Sequence, residues 1–310
     1  MALRPLPGAP VGARRVRAPR RPTPWAALAW LPRRSAYAAA AAVGRHRFRQ
    51  GADSVHGASE PLLGELLDAT AADVRLWARR AFENASCDQL EYELLARLTR
   101  RRLPRYLELR GLEHRDAALA DGHGAVLYSG HVRGHCLLFS ALGLLGYRPN
   151  VVGMPIDPDT PRSRRLALER RDVVLREHGC RFLNMAGEDF AVAARAANAL
   201  RRNEVVTFEI DPTHSGRNLD AVFLGRPARF PAGPLRSARA AGAPQLHYWL
   251  HRPERRTPLV AEIVEPTHVS DDLGRSLAAL LAPLEASVRR YPESWATWCF
   301  PEQHLWRPTA

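Results

Sequence analysis

Apolar positions recur at helical spacing over Glu60–Leu67 and Ala71–Ala81, and again over Asp88–Leu109, which reads as one or two further helices. The region ahead of the first clear strand is therefore expected to be helical. Past residue 124 the pattern changes. Short apolar runs of strand length, Ala125–Tyr128, Val151–Pro155, Arg181–Asn184, Glu204–Ile210, Gln245–Leu250 and Leu259–Val264, are separated by helical stretches at Cys136–Leu145, Arg164–His178, Phe190–Arg202 and Ala232–Ala241. A closing helix is expected over Leu273–Arg290. This alternation predicts an α/β fold: a mixed, mainly parallel central sheet flanked by helices, with a helical N-terminal region. A chain of 310 residues with 46% hydrophobic content has enough apolar side chains for one substantial core.

Charge divides the chain differently. Residues 1–52 carry eleven arginines and no acid, whereas the remainder holds 34 basic residues against 32 acidic ones, so the net charge of +13 belongs to the N-terminal arm. We expect two parts, a basic Pro/Ala/Arg-rich arm over 1–52 and an α/β domain over 53–310. Within the arm, Trp25–Leu31 and Ala36–Val43 are apolar but interrupted by Pro32-Arg33-Arg34. Each falls short of the roughly 20 residues that a spanning helix needs. Such a segment suits a membrane surface, with Trp25 and Trp30 at headgroup level and arginines on anionic phosphates; the alternative is a disordered arm followed by an ordinary amphipathic helix. The arm does not have the layout of a secretory signal. No aromatic residues interleave its arginines in a nucleic-acid-binding module, so nucleic acid is not expected as a partner. Cys87, Cys136, Cys180 and Cys299 form neither a CxxC pair nor a metal-ligand spacing, and neither metal nor cofactor is expected.

Chemistry is expected where a strand gives way to a helix, because side chains there sit at the carboxyl edge of the sheet beside unsatisfied backbone donors. Val126 to Cys136 has this form: Ser129-Gly130 makes the turn and His131 opens the helix. A histidine so placed can take the proton of an acceptor hydroxyl as that hydroxyl attacks a carbonyl. Its bland alternative is a capping or buried imidazole. Asp211, ending the run Phe208-Glu209-Ile210-Asp211, either contacts the acceptor, orients His131 or caps a turn. Gly225-Arg226-Pro227 offers a turn bearing a guanidinium able to hold a phosphate bidentately, or else a structural turn with a solvated arginine. His135 reads as helix surface, and Pro292, Glu293, Trp295 and Trp298 read as C-terminal packing.

Taken together these blocks resemble the late acyltransferases of lipid A biosynthesis, whose relatives acylate other bacterial glycolipids and lysophospholipids. Ser129-Gly130-His131 is similar to the family's first block, a strand leading to Thr/Ser-Gly-His with an acid five residues after the histidine; Phe208-Glu-Ile-Asp211 resembles the second. Val222-Phe-Leu-Gly225-Arg226-Pro227, continuing to Gly233-Pro234, resembles the third, and Tyr291-Pro292-Glu293-Ser-Trp295 the fourth. The resemblance implies transfer of a fatty acyl group from an acyl carrier protein or coenzyme A thioester to a hydroxyl of a glycolipid or lysophospholipid acceptor. It implies action at the cytoplasmic face of the inner membrane, with His131, the position of Cys136 and Asp211 catalytic and Gly225 and Arg226 binding substrate. Cys136 stands where the family has its acid. Three outcomes stay open: Asp211 or Glu209 completes the dyad; Cys136 serves as a thiolate; or the site is impaired and the chain acts as a lipid-binding or accessory protein.

Overall fold

The computed structural model describes residues 23–51, 62–154, 156–160, 162–185, 189–213, 217–253 and 258–299, the side chains of 163, 189, 190, 298 and 299 excepted. Residues 1–22 of the arm, the stretch holding Asp53 and Glu60, Pro155, and the side chains of Phe190, Trp298 and Cys299 thus lie outside it. Two helices open the described chain, α1 (Pro24–Leu28) and α2 (Arg33–Arg49), and both lie against α3 (Ala71–Leu95). The Thr23 hydroxyl accepts the Ala26 N–H at 3.1 Å and Thr70 accepts that of Asp73 at 3.2 Å, so each of these two starts satisfies a donor the helix itself cannot. Ala36, Tyr37, Ala40 and Ala41 bury one side of α2 against Cys87, Leu90 and Leu94 of α3. No helix among the described residues is long and apolar enough to cross a membrane.

The core is a seven-stranded sheet in the order β1-β9-β8-β2-β5-β3-β4, formed by β1 (Leu107–Arg110), β2 (Ala125–Ser129), β3 (Asn150–Gly153), β4 (Arg181–Asn184), β5 (Val205–Glu209), β8 (Gln245–His251) and β9 (Leu259–Ile263). All neighbours are parallel except β8 and β9, so the mixed, mainly parallel sheet expected from the alternation is present. Central strands β2 and β8 are buried along their whole length, as a sheet covered on both faces requires. The covering helices are α4 (Leu112–Ala120), α5 (His135–Leu144), α6 (Arg162–Glu177), α7 (Asp189–Arg201), α8 (Gly233–Ala241) and α9 (Leu273–Arg290). Strands β6 (Asn218–Phe223) and β7 (Arg226–Pro231) form a separate antiparallel hairpin.

Three local expectations are corrected. His131 does not open a helix: it lies in a loop, and α5 starts at His135 behind the left-handed Gly134. The helical reading of Asp88–Leu109 breaks at Leu95: Pro104 sits in a single 3-10 turn, and Leu107, Glu108 and Leu109 then alternate inward and outward as the edge strand β1. Ala71–Ala81 and the start of that stretch are instead one continuous 25-residue helix.

Candidate active site

Strand register brings the site together. β2 and β5 are parallel neighbours in which Ser129 partners Glu209, and the Ile210 N–H donates to the Ser129 carbonyl at 2.6 Å. Residues two positions beyond that pair, His131 and Asp211, consequently emerge side by side at the carboxyl edge of the sheet. Gly130 lies between Ser129 and His131 because nothing larger fits: a Cβ there would fall 2.6 Å from Trp295 Nε1 and 2.9 Å from Asp211 Oδ1.

Asp211, only 4% exposed, is held from two sides. Its Oδ2 accepts the backbone N–H of His131 at 3.1 Å and pairs with Nδ1 of the same residue, while its Oδ1 accepts the indole N–H of Trp295 at 2.6 Å. Trp295 follows the 3-10 turn Pro292–Ser294, which clamps the histidine loop: Val132 and Trp295 form an antiparallel bridge, Ala296 donates to the His131 carbonyl at 2.6 Å, and Arg133 donates to that of Ser294 at 3.1 Å. The other side of the imidazole faces Glu209, whose Oε2 lies 3.4 Å from His131 Nε2 and whose Oε1 lies 3.3 Å from Nδ1 of His135. From α3, Asp88 accepts the N–H of Gly134 at 3.0 Å and lies 3.9 Å from the Arg133 guanidinium, fixing the end of the loop.

These contacts set the charges. Burial alone lowers the His131 pKa, but the carboxylates of Glu209 and then Asp211 outweigh it and lift the group from an ordinary 6.5 to about 9. Burial raises the Asp211 carboxyl, and the imidazole of His131, with hydrogen bonds from His131 and Trp295, more than reverses this and leaves it below its usual range. Both neighbours thus favour the charged form of the imidazole, and 45% of the His131 side chain is still open to solvent.

Of the residues singled out in the sequence, His131 and Asp211 meet directly. Cys136 is buried on the first turn of α5, in electrostatic contact with His135, Tyr92 and Arg171. Gly225 and Arg226 lie at the tip of the β6–β7 hairpin, where the Arg226 guanidinium pairs with Glu65. That hairpin reaches the site through packing: Phe223 meets the Trp295 ring edge-on, with centroids 5.9 Å apart. His135, read from the sequence as helix surface, instead faces inward with a side chain 19% exposed. Trp295 was legible as a motif but not as a ligand of Asp211, and Asp88 carries no sequence signal.

An imidazole with one nitrogen fixed by a buried carboxylate and the other beside a second carboxylate, on a partly exposed side chain, is built for proton transfer. Among the described residues no group of His, Cys, Asp and Glu side chains is placed to hold a metal ion. None of the curated proteins matches the chain. The model of one protein family, described as bacterial lipid A biosynthesis acyltransferase, matches residues 22–302. That span takes in the histidine loop, the Asp211 strand end, the hairpin and the Trp295 clamp, and the chain belongs to this family of acyltransferases.

Proposed function

We propose that the chain transfers a fatty acyl group from an acyl carrier protein or coenzyme A thioester to a hydroxyl of a phosphate-bearing glycolipid or lysophospholipid. His131 is the general base: Nε2 takes the hydroxyl proton as the oxygen bonds to the thioester carbonyl carbon, the C–S bond breaks, and the imidazolium returns the proton to the leaving thiolate. Asp211 keeps Nδ1 protonated and Nε2 directed to the Glu209 side. The observation that carries this reading is the doubly anchored Asp211 on Nδ1 of His131. With Asp211 and Glu209 both at the imidazole, the thiol at position 136 does not leave His131 without an acid. Gly225 turns the hairpin so that Arg226 can exchange its exposed partner Glu65 for a substrate phosphate.

We place the reaction at a membrane surface, at the cytoplasmic face of the inner membrane. Support comes from the corner between α1 and α2: Trp30 is 79% exposed and Leu31 44%, Arg97 stacks 3.8 Å from the Trp30 ring, and Arg33 and Arg34 follow. The test of the chemistry is turnover of acyl thioesters with lipid acceptors by the purified chain; equal rates for wild type and His131→Ala would refute the mechanism. Flotation with anionic vesicles tests the surface: Trp30→Ala with Leu31→Ser is expected to weaken binding, and unchanged binding would refute it.

A further inference from the structure

Glu209 occupies the side of His131 from which an acceptor hydroxyl must approach. One of its oxygens faces Nε2 of His131 at 3.4 Å and the other faces Nδ1 of His135 at 3.3 Å, so a single carboxylate is shared between two imidazoles. Nδ1 of His135 also lies 2.9 Å from the Val132 carbonyl. A carbonyl only accepts, so this nitrogen carries its proton whether the ring is neutral or charged; the proton goes to Val132, and the Glu209 carboxylate lies beside it as a charge contact. The ring is further fixed against Phe139, with centroids 5.5 Å apart. The residue therefore has a defined tautomer, a defined orientation and a carboxylate that touches the proposed base.

We propose that His135 is a positioning residue for the acyl-transfer site: by sharing the Glu209 carboxylate with His131 it sets how firmly that carboxylate holds the Nε2 proton, and so when His131 is free to accept one. The inference rests on the general-base reading of His131. Its physical content is a competition. Every part of the Glu209 charge directed at His135 is withdrawn from His131, and in the resting site Nε2 must lose its own proton before it can take one from a hydroxyl. The groups facing the three side chains are few. Asp88 from α3 and Cys136 on its own helix act on His135, Asp211 and His135 itself act on His131, and the Tyr248 hydroxyl from β8 feels Glu209.

The test follows the His131 ring by nitrogen NMR in the full-length chain labelled at histidine, titrated in the wild type, His135→Leu, His135→Asn, Glu209→Gln and the His135→Leu/Glu209→Gln double variant. Leu removes the donor and is expected to raise the His131 midpoint by about half a pH unit, whereas removing the carboxylate lowers it by about one unit or more. Asn keeps an N–H near the position of Nδ1 and is expected to restore the wild-type midpoint, which also covers the case that the Leu variant does not fold. In the Glu209→Gln background the His135 effect is expected to shrink, because only the direct repulsion between the two imidazoles remains. A His131 midpoint that ignores His135, or a His135 effect of equal size with and without Glu209, overturns the proposal. The NMR midpoint needs no turnover. Coupled midpoints in a chain that transfers no acyl group would refute the proposed function while upholding the sharing of Glu209; in an active chain the acid limb of kcat/KM is expected to move with them.

Discussion

At the residue scale, His131 links activity and stability with opposite signs. Its pKa is raised in the folded chain from 6.5 to about 9, so its contribution to stability is complete below 6.5 and is lost as pH rises through about 9. The neutral base appears over the same window. Activity is therefore expected to climb between pH 7 and 9 while the melting temperature drifts down, and a pH-rate profile flat across that range would contradict a His131 base. Trp295 makes a second, separable prediction. Its indole N–H is one of the bonds holding the Asp211 carboxylate, and a hydrogen bond to a charged group contributes about 1.5–3 kcal/mol. Trp295→Phe keeps an aromatic ring against Phe223 and removes that bond, so kcat is expected to fall by about tenfold or more. Undiminished kcat in a folded Trp295→Phe chain would show that Asp211 needs no second anchor. The sequence marked His131, Asp211 and Trp295 separately; what joins them is the Ser129–Glu209 register and the Val132–Trp295 bridge, which pair positions 80 or more residues apart and leave no local pattern.

At the element scale, the β6–β7 hairpin explains why one block was legible as a motif but not as strands. Its turn is Leu224-Gly225, with φ of +52° and +79°, the left-handed geometry that a two-residue hairpin favours. Asn-Gly or Asp-Gly would have announced such a turn; here a leucine takes the first position. A non-glycine residue in that region costs about 1–2 kcal/mol. Burial of the Leu224 side chain and donation of its N–H to Glu285 of α9 at 3.1 Å offset that cost. Strand β1 was hidden for a related reason: its four residues follow a long helix, and their alternation is too short to outweigh the helical spacing before them. The hairpin places Arg226 on an exposed ion pair with Glu65, and surface pairs contribute about 0–1 kcal/mol, so a phosphate can displace the glutamate. Arg226→Ala is accordingly expected to raise KM for a phosphorylated acceptor by about tenfold with kcat little changed, since it removes binding shared by ground and transition states. Equal KM values for phosphorylated and dephosphorylated acceptors in the wild type would remove the role given to Arg226.

At the scale of the whole molecule, the N-terminal helices are tied to the sheet by a buried ion pair rather than by apolar contact alone. Arg252, just past β8, pairs with Glu91 of α3, and Tyr37 of α2 donates to the same carboxylate at 3.0 Å while its ring lies 5.0 Å from the guanidinium. The Arg252 and Glu91 side chains are 7% and 2% exposed, so neither charge has water as an alternative partner. The helical reading of the sequence placed Glu91 on a helix, but nothing in the chain marks a charge at that position as buried, because its partner is 161 residues away. Breaking such a pair by removing one partner typically costs about 3–5 kcal/mol, whereas replacing both by apolar residues is often near neutral. Arg252→Met is expected to destabilise the chain by about that amount, and Arg252→Met with Glu91→Leu to recover most of it. The single variant also carries a pH signature. Burial already raises the Glu91 carboxyl above its ordinary 4.5 against the pull of Arg252, and without the guanidinium it rises further. A group whose folded pKa is raised holds its proton more tightly in the native state, so the deficit of Arg252→Met is smallest below 4.5 and grows as pH rises above it. Denaturant titrations of wild type, Arg252→Met and the double variant at pH 5 and pH 8 measure this, and a single-variant deficit that is the same at both values would mean that Glu91 stays ionised and finds another cation when Arg252 is gone.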